Sequence, residues 1–216
     1  MKTKIISLLT ALGLCFNAAS AGNSASIGYA SDYFYRGVQK AEESIQASLM
    51  LSHAVGSLDG SFHICSNQAV ESGTDSYHIG AGLGTSFADG LLSAYAGINH
   101  FEDLPGSSLS EAEVKVSFDT LLSPSVSVFR DFDDSLYTYE LGICHTLETD
   151  IVDVLLCGSY GNTDTTANSD TDYYGASASI SKDLSETASL GASIKYVDAD
   201  NIDDECVLGV GLTFNF

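Results

Sequence analysis

The 216-residue chain is short of positive charge, with eight lysines and arginines against 29 aspartates and glutamates. Proteins that neutralise phosphates cluster Lys and Arg, so this shortage excludes nucleic acid as a partner. Proline is nearly absent, at two residues, while 44% of the chain is hydrophobic. Disordered acidic chains have neither property, so the acidity belongs to a folded protein. Beyond the extreme N-terminus there is no long apolar run, which excludes a helical membrane span. Cys65, Cys144, Cys157 and Cys206 contain no Cys-x-x-Cys and match no zinc-ribbon spacing. Gly-x-Ser-x-Gly, His-Glu-x-x-His and phosphate-loop patterns are missing as well. We therefore expect no enzyme, no cofactor and no metal.

What is present starts with a leader. Residues 1–21 read as a secretory signal peptide, with Lys2 and Lys4 ahead of the apolar stretch Ile5 to Phe16 and the small residues Ala19-Ser20-Ala21 at the cleavage point. Its removal takes two lysines and no acid, so the formal charge moves from −21 to −23. The remaining chain, 22–216, is expected to enter a compartment that permits disulfides.

From there the hydrophobic period is two, a strand signal. Cys206, Leu208, Val210, Leu212, Phe214 and Phe216 alternate with Gly209, Gly211, Thr213 and Asn215. The same reading gives twelve strands, over 25–38, 44–55, 60–67, 76–87, 90–101, 109–119, 124–132, 135–147, 151–161, 171–182, 186–197 and 205–216. Most have the roughly 10 residues that a tilted strand needs to cross a bilayer. The face opposite the apolar one is mostly Gly and Ser, as at Gly80, Gly82 and Gly84. Small residues of that kind suit the inside of a barrel whose apolar face meets lipid, and they mildly favour an open pore, whereas Phe34, Met50 and Tyr95 on the same face favour filling. Tyr29, Tyr33, Tyr35, Tyr77, Phe87, Tyr173, Tyr174, Tyr196, Phe214 and Phe216 stand near strand ends and are expected to form the aromatic belt.

The fold class expected is therefore all-β, a single transmembrane antiparallel up-and-down barrel of about 12 strands filling 22–216. Its longer connections, 39–43, 68–75, 102–108, 133–134, 162–170 and 198–204, fall at one rim and, counted with their adjoining strand ends, carry 17 of the 29 acids. Such a rim enriches cations at the mouth. The expected location is the bacterial outer membrane, with its lipid and lipopolysaccharide as surroundings. The expected function is passive diffusion of small hydrophilic solutes or ions with a mild cation preference. The alternative is a non-conducting structural or adhesive barrel with acidic surface loops. Oligomeric state is not legible.

The run Ser31-Asp32-Tyr33-Phe34-Tyr35-Arg36-Gly37 resembles the Ser-Asp-Tyr-x-x-Arg-Gly signature that opens the TorF-type porins of proteobacteria. Gln46, Ser66-Asn67, Arg130-Asp131-Phe132, the stretch Tyr137 to Gly142 and the terminal Phe216 are similar to that family too. Ile64-Cys65 departs from it, standing where the family usually has Trp-Gly, and four mature cysteines are unusual there. The resemblance implies an outer-membrane barrel with a passive-diffusion role and no catalytic residues.

Strand parity places Asp32 and Arg36 in the lumen, along with Glu113, Lys115, Glu140 and Lys195. Arg36 is either a selectivity element that narrows the pore or one end of an internal ion-pair network with Glu113 or Glu140. Arg130 shares parity with lipid-facing Val126 and Val128, which calls for snorkelling or a bulge. Cys144 and Cys157 face inward on consecutive strands and are either disulfide-bonded or off-register thiols. His63, Cys65 and His78 share an inward-facing hairpin, where ordinary packing competes with a partial metal site. The acidic run Asp198 to Glu205 is only loosely like a calcium loop. His53, His100 and His145 point outward with no nucleophile expected beside them.

Overall fold

The computed structural model describes residues 22–104, 106–149, 152–164, 170–200 and 202–216. The expected leader, 1–21, lies outside them, as do parts of the 102–108, 162–170 and 198–204 connections. Twelve strands follow one another: β1 (Ser24–Tyr35), β2 (Val38–Val55), β3 (Leu58–Gly73), β4 (Asp75–Phe87), β5 (Leu92–Leu104), β6 (Ser107–Phe118), β7 (Ser125–Asp131), β8 (Tyr137–Leu147), β9 (Asp153–Thr163), β10 (Thr171–Ser185), β11 (Ala188–Ala199) and β12 (Ile202–Asn215). Each pairs antiparallel with its neighbours in sequence, and β12 returns to β1, so the barrel is closed. Closure leaves no unpaired strand edge, which is what allows a sheet to sit in hydrocarbon.

Alternation along each strand sorts side chains to two surfaces, and the sorting is the reverse of a soluble protein's. Outside lie Ile98 at 60% exposure, Val114 at 55%, Leu141 at 52% and Leu208 at 58%. Inside, the buried residues include Asn67, Asn99, Glu111, Lys115, Thr138 and Glu140. An apolar exterior around a polar interior belongs in a lipid solvent.

Three expectations need correction. The first outer connection is not 39–43. The chain turns at Arg36-Gly37, both with positive φ (49° and 75°), in the two-residue form whose twist suits a hairpin, and 39–43 belong to β2. The aromatic belt is smaller than its sequence candidates, because Tyr33 and Tyr173 are buried and Tyr35 also faces the interior. Tyr173 and Tyr174 are adjacent, so alternation allows only one of them to face out, and Tyr174 does. Finally, the glycine-rich inner face is not vacant. A side chain at Gly82 or Gly97 would collide with the Tyr95 ring, and one at Gly161 with the Tyr173 ring. These glycines are the floors on which large lumenal rings lie.

Candidate functional site

The outer tip of the β1–β2 hairpin leaves the wall and turns into the lumen. Pairing between β1 and β12 stops at Ala30↔Gly209, while β1 and β2 stay paired up to Tyr35↔Val38. Register shifts at Tyr33/Phe34 and at Glu42/Ser44, with Glu43 at φ 47°, bend the pair. Bulges of this kind increase local twist and re-aim a strand. One face of the bent tip is apolar: Ala30 and Phe34 pack on Val197 and Val207 of the inner wall, with Ile202 beside them. Gly37 closes against β10 and β11 so tightly that an added Cβ would lie 2.7 Å from Ala199 Cβ and 2.9 Å from Tyr173 Cβ. Glycine is required there both by the positive φ and by that approach.

The other face looks across the lumen. The Tyr35 ring lies 4.6 Å from Phe101, which stacks at 4.0 Å on His78. Arg36 reaches the far wall, where its Nη1 and Nη2 donate to Glu111 at 2.7 and 2.8 Å and its guanidinium sits 4.0 Å over the Phe129 ring. Glu140 is 4.0 Å from Arg36 Nε and accepts a hydrogen bond from the Tyr173 hydroxyl. The Arg36 side chain is 9% exposed and that of Glu111 only 1%. A bidentate pair with so little water is held strongly in place, because separating it strands a buried charge.

The remaining candidates divide. Asp32 accepts a hydrogen bond from Gln39 at 3.0 Å within the hairpin and takes no part in the Arg36 cluster. Glu113 lies on the inner face of β6 next to the cluster and accepts from Asn99 at 3.2 Å. Lys115 is buried on that same face. Lys195 projects from β11 opposite Ser177 and Val207. Sequence reasoning missed Glu111, although it shares parity with Glu113 and Lys115, and it missed Tyr173 by placing it on the belt. Arg130 stays outside near the end of β7, its guanidinium 6.0 Å over Tyr137.

His63 and His78 approach each other through Nε2 at 3.1 Å, and Cys65 is the register partner of His78. Among the described residues no three His, Cys, Asp or Glu side chains converge on a point that could hold a metal. The expectation that no nucleophile stands beside an outward histidine needs amendment. His100 Nδ1 lies 2.8 Å from Ser110 Oγ, because the two are direct cross-strand partners. Glu102 is 3.7 Å from His100 Nε2, beyond hydrogen-bond range, and is engaged by Tyr77 at 2.5 Å, so no relay of hydrogen bonds is completed.

Cys144 and Cys157 are register partners on β8 and β9, and their sulfurs are bonded inside the barrel. Cys65 and Cys206 are free. Alkylation of the unreduced, denatured 22–216 chain is expected to modify Cys65 and Cys206 and spare the other two, read by peptide mass. Labelling of all four without reductant would exclude the bridge.

A closed twelve-stranded antiparallel barrel with a polar lumen and an apolar exterior is the architecture of a transmembrane β-barrel. Solved structures with this fold include the KdgM porin in complex with disordered oligogalacturonate, at 12% identity, TM-score 0.61, and 89% of this chain against 99% of that one. The NanC porin matches at 9% identity and TM-score 0.59, over 90% of this chain and all of the other. An outer-membrane channel from Pseudomonas putida F1 matches at 9% identity and TM-score 0.61, over 94% and 99% of the two chains. No protein-family model and no curated protein matches the chain. Likeness at these identities carries the fold alone.

Proposed function

We propose that this protein is a bacterial outer-membrane channel of the TorF type, passing small hydrophilic solutes or ions by diffusion. The observation that carries this reading is the reversed sorting of side chains around a closed barrel, with ionisable and amide groups lining the inside. A solid structural barrel has no need of charged side chains in its interior, which are costly unless paired or hydrated. Twelve strands enclose a narrower lumen than the 16–18-stranded porins, and the folded hairpin narrows it further. Such a passage favours small or extended solutes.

Acids at the rim opposite the termini, among them Glu42, Glu43, Asp133, Asp134, Asp203 and Asp204, bias the mouth toward cations. Lipid and lipopolysaccharide surround the barrel on this reading, and no enzymatic step is assigned. In planar bilayers, with a salt gradient across the purified barrel, the reversal potential is expected to show a modest preference for potassium over chloride. Clear anion selectivity would contradict the role given to the rim.

A second reading draws on the hairpin itself. With Arg36 docked on Glu111, the tip can shut the lumen, leaving a non-conducting barrel whose acidic loops serve surface contacts. Absence of unitary currents from refolded protein selects that reading.

A further inference from the structure

Between the inner face of the hairpin and the wall formed by β2 to β6 lies a cavity of about 130 Å³. A cavity of ~150 Å³ is known to take up one six-membered ring, so the size is that of a single small ring or an open chain of similar bulk. The space is lined by Tyr33, Tyr35 and Phe101 and by Gln46, Asn67 and His78.

One polar atom on each of two lining residues is buried without a partner. Asn67 is 5% exposed, and its Nδ2 makes no hydrogen bond. Gln46 Nε2 donates to Asn67 Oδ1 at 3.4 Å, so the unused end of that amide is the donor. His78 is 3% exposed, and its Nδ1 is likewise unpaired. Its Nε2 faces both His63 Nε2 at 3.1 Å and Asn99 Oδ1 at 3.3 Å, and the Asn99 amide is oriented by donating its Nδ2 to Glu113. An acceptor at Asn99 Oδ1 puts the proton on His78 Nε2 and leaves Nδ1 as a lone pair. Asn67 and His78 thus bring one unused donor and one unused acceptor to the wall of the cavity, each expensive to leave buried. A hydroxyl group satisfies both, and adjacent hydroxyls on one small molecule satisfy them together.

Charge narrows the class. Of the Lys, Arg, Asp and Glu side chains, only Lys40 and Asp103 line the cavity, and they pair with each other at 2.9 Å. Neither is left over for a carboxylate or an ammonium group. The Tyr33 and Tyr35 rings bring apolar surface that suits the C–H surface of a ring. We infer that this cavity is a binding site for a small neutral polyhydroxylated solute, a monosaccharide or cyclic polyol, held under the folded hairpin on its way through the barrel.

The inference deepens the channel reading, and its test separates the two. D-glucose, myo-inositol, D-glucuronate and D-glucosamine are titrated against the purified barrel in detergent, with binding read by saturation-transfer NMR. Glucose or inositol is expected to saturate, with both charged sugars about tenfold weaker or more. Asn67→Leu, which removes the donor while keeping the bulk, is expected to weaken binding about tenfold with the heat-modifiable gel mobility of the barrel retained.

If that variant does not fold, Lys40→Met carries the test at a site where the side chain is 27% exposed. Freeing Asp103 is expected to shift preference toward glucosamine. The site is overturned if none of the four probes saturates, if glucuronate binds as well as glucose, if folded Asn67→Leu binds as tightly as the parent, or if Lys40→Met leaves the ranking unchanged. A barrel that binds glucose but never conducts overturns the channel and leaves the site, whereas one that conducts and binds no probe does the reverse.

Discussion

Arg36→Met is expected to raise the conductance of the barrel at least about twofold and to make its currents noisier, because the hairpin tip will spend much of its time out of the lumen. The arithmetic is that of a broken buried pair. Glu111 is 1% exposed and accepts both guanidinium bonds. Removing the cation leaves that carboxylate buried and unpaired, at a cost of about 3–5 kcal/mol in the docked state. When the tip swings out, Glu111 regains water and the cost is not incurred there. A difference of that size shifts the ratio of docked to released hairpin by a hundredfold or more, on the order of 1.4 kcal/mol per tenfold.

The double variant Arg36→Met with Glu111→Met removes both charges and is expected to return toward the parental conductance, since apolar replacement of a buried pair is often neutral. Urea titration of the same variants separates release of the tip from loss of the barrel. Unchanged currents in the single variant, with the barrel intact, would show that the tip does not limit flow.

The second large effect concerns the outer surface. Ile98 stands at the middle of β5, 60% exposed, with Ala81 and Ala112 as ladder partners. Ile98→Arg is expected to cost about 2–4 kcal/mol of folding free energy in phospholipid vesicles, the penalty for Arg at the midplane. Leu104→Arg, on the same strand at the rim and 48% exposed, is expected to cost only about 0–1 kcal/mol. A soluble protein has no reason for such a depth dependence. Equal costs at the two positions, measured by urea titration with vesicles present, would mean that β5 does not face hydrocarbon.

Most of the barrel is legible in the chain because its two determinants are local. Alternation decides which residues face lipid, and Gly, Asn and Asp decide where strands turn, so Ile98, Val114 and Leu208 can be assigned outward one strand at a time. The errors arise where a residue's fate depends on something distant. Tyr33 and Tyr35 read as belt residues by composition, yet the bend at Tyr33/Phe34 carries them inside. The glycines of β4 read as open space, but they hold the Tyr95 ring and His63 from neighbouring strands. Arg36 is assigned to the lumen by parity, whereas its partner is Glu111, 75 residues away on the opposite wall.

The sequence by itself determined a barrel of about 12 strands, the inside and outside of most strand residues, the acidic rim and the inward pairing of Cys144 with Cys157 as one of two options. Period two and charge position are properties of neighbours in the chain, and closure follows because lipid tolerates no free edge. Only the tertiary structure decided that the Ser31–Gly37 segment folds back through the mouth, that Glu111 rather than Glu113 receives Arg36, and that Asn67 and His78 face a shared cavity. Those outcomes depend on which walls of the closed barrel stand opposite one another, a relation set by register and bulges around the whole ring. The acid excess and scarce bases at the outset thus divide into a solvated rim and a few buried acids, with one arginine bridging the lumen between them.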